Sequence, residues 1–198
     1  MTKNQTERAQ NAARIAMKTY YFYDSDWKYG GKGDVEYHIQ GEEFRKLLEV
    51  CFRYSAYVAF SFSPSSEAKY LQLLAPFEES VPDVISSQAY PPKRMWPTET
   101  FRCFNGRTVT TTIQKSSTNR FYRTCPELID VLCSVSDSIF TYLDGWGYCN
   151  PEDPTFYRAD GSVFFSSVIH EGECKLTPRD DEDISEIIRN PLWVCDNG

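Results

Sequence analysis

The alternation of apolar and polar positions predicts several short strands. Residues 20–23 form an aromatic run suited to a strand, and residues 35–39 alternate between apolar and polar side chains. In residues 57–62, Val58, Phe60 and Phe62 are expected to share one face. In residues 162–170 both faces carry apolar residues, Phe164 and Val168 on one and Val163, Phe165 and Ile169 on the other. We therefore expect this last segment to be a central strand that is covered on both faces.

Helical spacing of apolar residues is clearest in residues 44–52, where they recur at intervals of three and four after an acidic start. A second helix is predicted over residues 126–143, because Thr124 and Glu127 have the spacing of a capping box. Further helices are predicted over residues 1–18, over residues 65–74, and from a cap at residues 177–180 through Ile188, after which Trp193 and Val194 are expected to pack.

Two dipeptides predict tight turns between strands. Asn105-Gly106 joins residues 101–104 to residues 107–113 in the pattern of a type I′ hairpin, and Asp160-Gly161 precedes the predicted central strand. Residues 75–97 contain five prolines and show no strong periodicity. They are expected to form the longest irregular connection of the chain.

The composition is that of a globular domain, since 41% of the 198 residues are hydrophobic and 25% are charged. We expect a single α+β domain over residues 1–198, with about four helices packed on a mixed or mainly antiparallel sheet. The sequence does not predict the order of the strands. No apolar run approaches the roughly 20 residues of a membrane helix, and the polar amino terminus lacks the apolar stretch of a secretory signal. The seven cysteines, none in a CxxC pair, are then expected to be reduced and mostly buried in a cytoplasmic protein.

The formal charge of −7 is distributed unevenly along the chain. Residues 1–150 carry 17 acidic and 17 basic side chains, whereas the last 48 residues carry 11 acidic and 4 basic ones and account for the whole imbalance. Within the neutral part, residues 93–123 hold seven basic residues and one acid, Glu99. A basic middle and an acidic end are therefore expected to steer charged partners.

The acidic end contains four consecutive acids, more than a helix start needs, since adjacent carboxylates repel one another. We predict a negative surface that binds a basic protein partner, formed by Glu171, Glu173, Asp180, Asp181, Glu182 and Asp183. In overall texture the chain resembles bacterial immunity proteins, small acidic cytosolic binders with many aromatic residues that neutralise a toxin. That resemblance is compositional and carries over no residue. It implies a non-enzymatic binding module that masks its partner.

The basic middle supports a second hypothesis, a nucleic-acid or nucleotide binder. Aromatic residues are interleaved with arginines and lysines there, a mixture that can bind phosphates and stack on bases. The candidate binding residues are Lys93, Arg94, Trp96, Arg102, Arg107, Arg120 and Arg123. The same pattern also fits a hairpin with an aromatic face, Phe121 and Tyr122 included, whose arginines pair with the acidic end.

A third hypothesis is an enzyme that uses Cys174 with His170. These side chains are four residues apart and share a face if the strand is unbroken, as a Cys/His dyad or part of a metal site would need. Gly172 between them is equally compatible with a turn, and no orienting residue or further ligand is identified. We therefore assign no catalytic residue, metal or cofactor, and the oligomeric state stays open.

Overall fold

The computed structural model describes residues 18–23, 39–62, 68–82, 85, 100–102, 108–110, 118–139, 152–168 and 172–196. Four of the predictions lie wholly or mostly outside these residues: the helix before Lys18, the strand over 35–39, the connection over 75–97 and the Asn105-Gly106 dipeptide. Among the described residues, no helix is long and apolar enough to cross a membrane.

Nine strands and four α-helices form within the described residues. The strands are β1 Thr19–Tyr23, β2 Tyr57–Phe62, β3 Thr100–Arg102, β4 Thr108–Thr110, β5 Thr118–Arg123, β6 Glu152–Tyr157, β7 Val163–Val168, β8 Glu173–Leu176 and β9 Trp193–Asp196. The helices are α1 Glu42–Tyr54, α2 Ala68–Leu74, α3 Pro126–Val135 and α4 Ser185–Ile188. Seven strands pair antiparallel in the order β5-β2-β6-β7-β8-β1-β9, and β3 and β4 form a separate pair. The fold is α+β, as predicted.

The larger core lies between one face of the seven-stranded sheet and α1. Residues directly opposite one another on paired strands share a face, and one such row runs through Val58, Phe156, Phe165 and Leu176, each at most 1% exposed. Helix α1 covers this row, with the ring of Phe52 5.6 Å from that of Phe156. The apolar residues whose spacing predicts α1 are therefore those on the side of the helix that faces the sheet.

Strand β7 is central, as predicted, and its two phenylalanines are buried while Val163 and Val168 are half-buried, but the distribution of these residues between the faces is not the predicted one. The pairs Phe156–Phe165 and Tyr157–Val163 leave Phe164 as an extra residue, which is a β-bulge. The bulge places Phe164 and Phe165 toward the same side, since Phe164 contacts Tyr54 of α1 with ring centroids 5.5 Å apart. A strict alternation would have put these two rings on opposite faces.

A smaller core covers part of the other face. Tyr157 and Ala59 are buried there against Ile85, with Phe121 and Val163 packed around them. On the same face of β8, Lys175 is exposed and its ammonium group lies 5.7 Å from the ring centroid of Tyr21. This second face is thus buried toward β5 and exposed toward β1.

Helix α3 differs from its predicted form at both ends. It begins at Pro126 with Cys125 as its N-cap and no side-chain capping bond, because the Thr124 hydroxyl instead donates to the carbonyl of Ser55 at 2.6 Å. It ends at Val135, not near residue 143. There the backbone is drawn toward the start of α1, where the Gly41 N–H donates to the carbonyl of Asp137 at 2.6 Å. Both ends are set by contacts with distant segments.

Three further expectations are corrected by the structure. The two arms of the predicted hairpin do pair antiparallel as β3 and β4, but Arg102 lies opposite Thr108, one residue away from the register that a two-residue turn at Asn105-Gly106 would impose. The last helix, α4, has only four residues and begins at Ser185, so the segment 177–180 precedes it without capping it. Trp193 is buried, but Val194 is 59% exposed.

Candidate functional site

The acidic loop, residues 177–184, connects β8 to α4 and carries most of the predicted negative surface. It begins beside the turn between β6 and β7, because the Thr177 N–H donates to the carbonyl of Phe164 at 2.8 Å. That turn is tight, with Gly161 at a φ of 86°, a value that favours glycine. The loop and the turn therefore lie side by side at one end of the sheet.

A buried ion pair fastens the middle of the acidic loop to the sheet. Arg158, directly after β6, donates from Nε to Oε1 of Glu182 at 2.6 Å and from Nη2 to Oε2 at 2.5 Å. Its other N–H groups donate to the carbonyls of Val163 and Thr177 and to the hydroxyl of Ser162. The five N–H donors of the guanidinium are matched by five bonds, so its hydrogen-bonding capacity is used inside the protein.

The carboxylate of Glu182 is held from a second side by its own loop. Its Oε2 also accepts the backbone N–H of Arg179 at 2.7 Å. Burial alone would raise the pKa of Glu182, but the bonds from Arg158 and from the Arg179 backbone, with the charges of both arginines, lower it below its usual value. Glu182 is therefore ionised, and its charge is compensated by arginines inside the protein. Contrary to the prediction, it does not belong to an exposed negative surface.

A second ion pair links the acidic loop to the β6–β7 turn at the surface. The Arg179 guanidinium donates to Asp160 Oδ2 and, at 2.9 Å, to the hydroxyl of Ser162. Asp160 Oδ1 accepts both the hydroxyl and the backbone N–H of Ser162, and these bonds with Arg179 hold the pKa of Asp160 well below its usual value. The charges of Arg179 and Asp160 therefore largely cancel.

The far end of the loop is tied to α1. The phenol oxygen of Tyr54 accepts the backbone N–H of Asp183 at 2.9 Å, and its hydroxyl lies 3.3 Å from the Asp183 carbonyl. Asp183 Oδ1 accepts the N–H of Ser185, which lowers the pKa of Asp183. Glu186 in α4 pairs with Arg53 of α1 at 3.3 Å. Each end of the loop thus has its own attachment.

The structure does not bring all the predicted acidic residues together. Asp180, Asp181 and Asp183 are exposed on the acidic loop. Glu173 begins β8, about 10 Å along the strand from the residue before the loop, and it lies on the face away from α1 because Cys174 and Leu176 are the buried residues of β8. Glu171 lies outside the described residues. The negative surface at the loop is therefore formed by three aspartates.

The basic segment is only partly described. Lys93, Arg94, Trp96 and Arg107 lie outside the described residues, and of Arg102 the backbone alone is described. Arg123 is exposed, whereas Arg120 donates to both carboxylate oxygens of Glu78 at 3.0 and 3.1 Å, and not to the acidic end.

Two of the aromatic residues considered for base stacking pack in the cores of the protein instead. Tyr122 is buried in the larger core, and Phe121 packs in the smaller one. The side chains of Phe121 and Tyr122 therefore stabilise the fold on the two sides of β5.

The proposed Cys174 and His170 dyad depends on an unbroken strand, and the strand is broken. Val168 pairs with Glu173 across the β7–β8 hairpin, and Gly172 has a φ of 66°. The chain therefore reverses direction between Val168 and Glu173, and Cys174 lies on the second strand of the hairpin. The Cys174 side chain is 2% exposed and is part of the larger core, and His170 itself lies outside the described residues. Within the described ranges, no three His, Cys, Asp or Glu residues are grouped so that they could hold a metal ion.

Three residues of the site were missed in the sequence: Arg158, Arg179 as the partner of Asp160, and Tyr54. The one signal available was that Arg158 stands between the aromatic pair Phe156-Tyr157 and the predicted Asp160-Gly161 turn. Comparisons with protein-family models, with curated proteins and with solved structures find no match.

Proposed function

We propose that the protein is a non-enzymatic binding module that masks a basic protein partner with the acidic loop. The observation that carries this proposal is the combination of three exposed aspartates with a loop backbone that is fastened at both ends and in the middle. A partner that presents lysine or arginine side chains would complement this surface.

The fixed backbone matters because ordering a loop costs free energy when a complex forms. A loop that is already held by Arg158 and Tyr54 loses little further conformational entropy, so more of its attraction for a cation contributes to affinity. The charges of Asp180, Asp181 and Asp183 also steer a positively charged partner toward the loop and raise its association rate. These effects weaken with salt.

The neighbouring charges are compatible with the same role. Arg158, Arg179 and Arg53 each pair with a carboxylate of the acidic end or its adjoining turn. The paired charges cancel, so the three exposed aspartates remain, with the exposed Arg189 near Asp183 offsetting part of their charge. Neutralising a toxin, as the resemblance to immunity proteins implies, is one form that masking a basic partner could take.

The test is identification of partners by cross-linking and mass spectrometry, followed by measurement of Kd against salt with the purified partner. The variant is the double charge reversal Asp180→Lys with Asp181→Lys, since neither side chain has an anchoring bond to lose. Glu79→Lys is the control, because Glu79 is an exposed acid beside the edge strand β5. We expect the double variant to weaken binding and to abolish its salt dependence, and the control to leave both unchanged.

Two outcomes would overturn the proposal. The first is a partner whose affinity and salt dependence survive the double charge reversal. The second is tight, salt-dependent binding of labelled single-stranded or duplex oligonucleotides that is lost in Arg123→Ala. That result would favour the nucleic-acid hypothesis for the basic segment.

A further inference from the structure

The acidic loop is held by a small set of bonds that depend on one buried carboxylate. The N–H of Arg179 donates to Glu182 Oε2, and the N–H of Glu182 donates back to the Arg179 carbonyl at 3.0 Å. The same carboxylate accepts two bonds from Arg158. Glu182 thus closes the turn within the loop and fastens that turn to the sheet.

Charged side chains on several segments surround Glu182. Arg158 faces it from the end of β6, and Arg179 faces it from its own loop, with Asp181 and Asp183 as sequence neighbours. Asp160 on the β6–β7 turn faces Arg179, and the Arg53–Glu186 pair lies toward α1 and α4. If Glu182 lost its charge, Arg158 would be a buried cation without an anionic partner.

We propose that the Arg158–Glu182 pair is a charge-operated latch: when Glu182 is neutralised, the acidic loop opens as a local unit while the sheet stays folded. The opening is a property of the free protein. Its consequence for binding, loss of the fixed arrangement of Asp180, Asp181 and Asp183, rests on the function proposed above. Acidification would therefore release a bound partner by opening the loop.

The direction of the pH dependence follows from the pKa of Glu182. Arg158 and the Arg179 backbone lower that pKa in the folded protein, so the latch is fully closed above the usual glutamate range. It opens as the pH falls through the folded-state pKa of Glu182. The opening is thus an acid response and has no counterpart on the alkaline side.

The experiment is amide hydrogen exchange of the full chain by NMR, comparing Glu182→Gln with Asp181→Asn at neutral pH. Both variants remove one carboxylate charge from the same loop, but Asp181 is exposed. For Glu182→Gln we expect the amides of Arg179, Glu182 and Asp183 to exchange at least about tenfold faster, with the amides of β2 and β7 unchanged. For Asp181→Asn we expect no change at any of these amides.

Unchanged protection of the Arg179 amide in Glu182→Gln would overturn the latch, and so would equal loss of protection in the loop and in β7. If Glu182→Gln does not fold, the Arg158 Nε–H signal of the unaltered protein is followed during acidification. Its disappearance before any strand amide loses protection supports the latch, and its disappearance together with the strand amides contradicts it.

A binding measurement separates this inference from the proposed function. The probe is a lysine-rich peptide at low salt, and its binding is measured for the unaltered protein and for the two variants. Faster loop exchange in Glu182→Gln with no change in peptide binding in either variant would support the latch and contradict the binding role. Weaker binding in Asp181→Asn, with slow loop exchange in Glu182→Gln, would support the binding role and contradict the latch.

Discussion

Two arginine–glutamate pairs in the same sheet show how burial changes the role of an ion pair. Arg158 follows the interior strand β6, and its side chain and that of Glu182 are 7% and 8% exposed. Arg120 lies on the edge strand β5, where it and Glu78 are 40% and 41% exposed. Water can solvate the second pair when its contact breaks, but not the first. The buried pair therefore fixes the conformation of the acidic loop, whereas the exposed pair contributes little.

The largest effect is expected from Arg158→Met, which removes the guanidinium and keeps most of the aliphatic stem. Glu182 would then be a buried carboxylate without a cation, and the carbonyls of Val163 and Thr177 would lose a donor. We expect the free energy of unfolding to fall by about 3–5 kcal/mol. Urea denaturation followed by circular dichroism measures this change.

The control for that prediction is the double variant Arg158→Met with Glu182→Leu. Replacing both members of a buried pair by apolar residues removes the uncompensated charge, so the double variant should be more stable than Arg158→Met alone. If the double variant is the less stable protein, the bond from the Arg179 N–H that Glu182→Leu removes outweighs the uncompensated charge, and the charge of Glu182 is not the main cost of Arg158→Met.

The buried pair should also make the stability of the protein sensitive to acid, with a smaller effect than that of Arg158→Met. Because the folded-state pKa of Glu182 is lowered, its contribution to stability is present above the usual glutamate pKa and is lost as the pH falls through the folded value. We expect the unaltered protein to lose more stability between pH 7 and pH 3 than the double variant at positions 158 and 182. Equal losses in urea titrations at the two pH values would contradict this assignment.

The contrast between the two pairs also marks what the sequence could predict. Helix α1 and strand β2 follow from local periodicity, and the exposure of Asp180 and Asp181 follows from four consecutive acids that cannot all be neutralised. Glu182 is one of the same four. Nothing local separates it from its neighbours, because its burial depends on Arg158, which a different strand brings to it.

The predicted ends of α3 are wrong for the same physical reason. Thr124 has the right residue type and spacing for a capping box, but the carbonyl of Ser55 competes for its hydroxyl. The helix stops at Val135 although apolar residues continue, because Gln40 and Gly41 pair with Ser138 and Asp137. Local patterns therefore predicted which elements exist, and long-range hydrogen bonds decided where they end.

A smaller effect is expected where the acidic loop meets α1. Tyr54→Phe removes the phenol oxygen that accepts the Asp183 N–H and keeps the ring that packs on Phe164. Since Asp183 is exposed and water can replace the bond, the loss of unfolding free energy should be about 1 kcal/mol. Thermal denaturation checks the stability, and faster exchange at the Asp183 amide checks the location. A cost as large as that of Arg158→Met would show that Tyr54 is the main attachment of the loop.

The smallest effect is expected at the exposed pair. Arg120→Gln removes the charge that faces Glu78 but leaves the backbone bond from the Glu79 N–H to the Phe121 carbonyl, at 3.0 Å, which holds this segment against β5. We expect a loss of less than about 1 kcal/mol, and a still smaller one at high salt, because exposed ion pairs are screened. Urea denaturation at low and high salt measures both quantities. A salt-independent loss of the size predicted for Arg158→Met would mean that exposure does not separate the two pairs, and the distinction between a fixing pair and a surface pair in this sheet would fail.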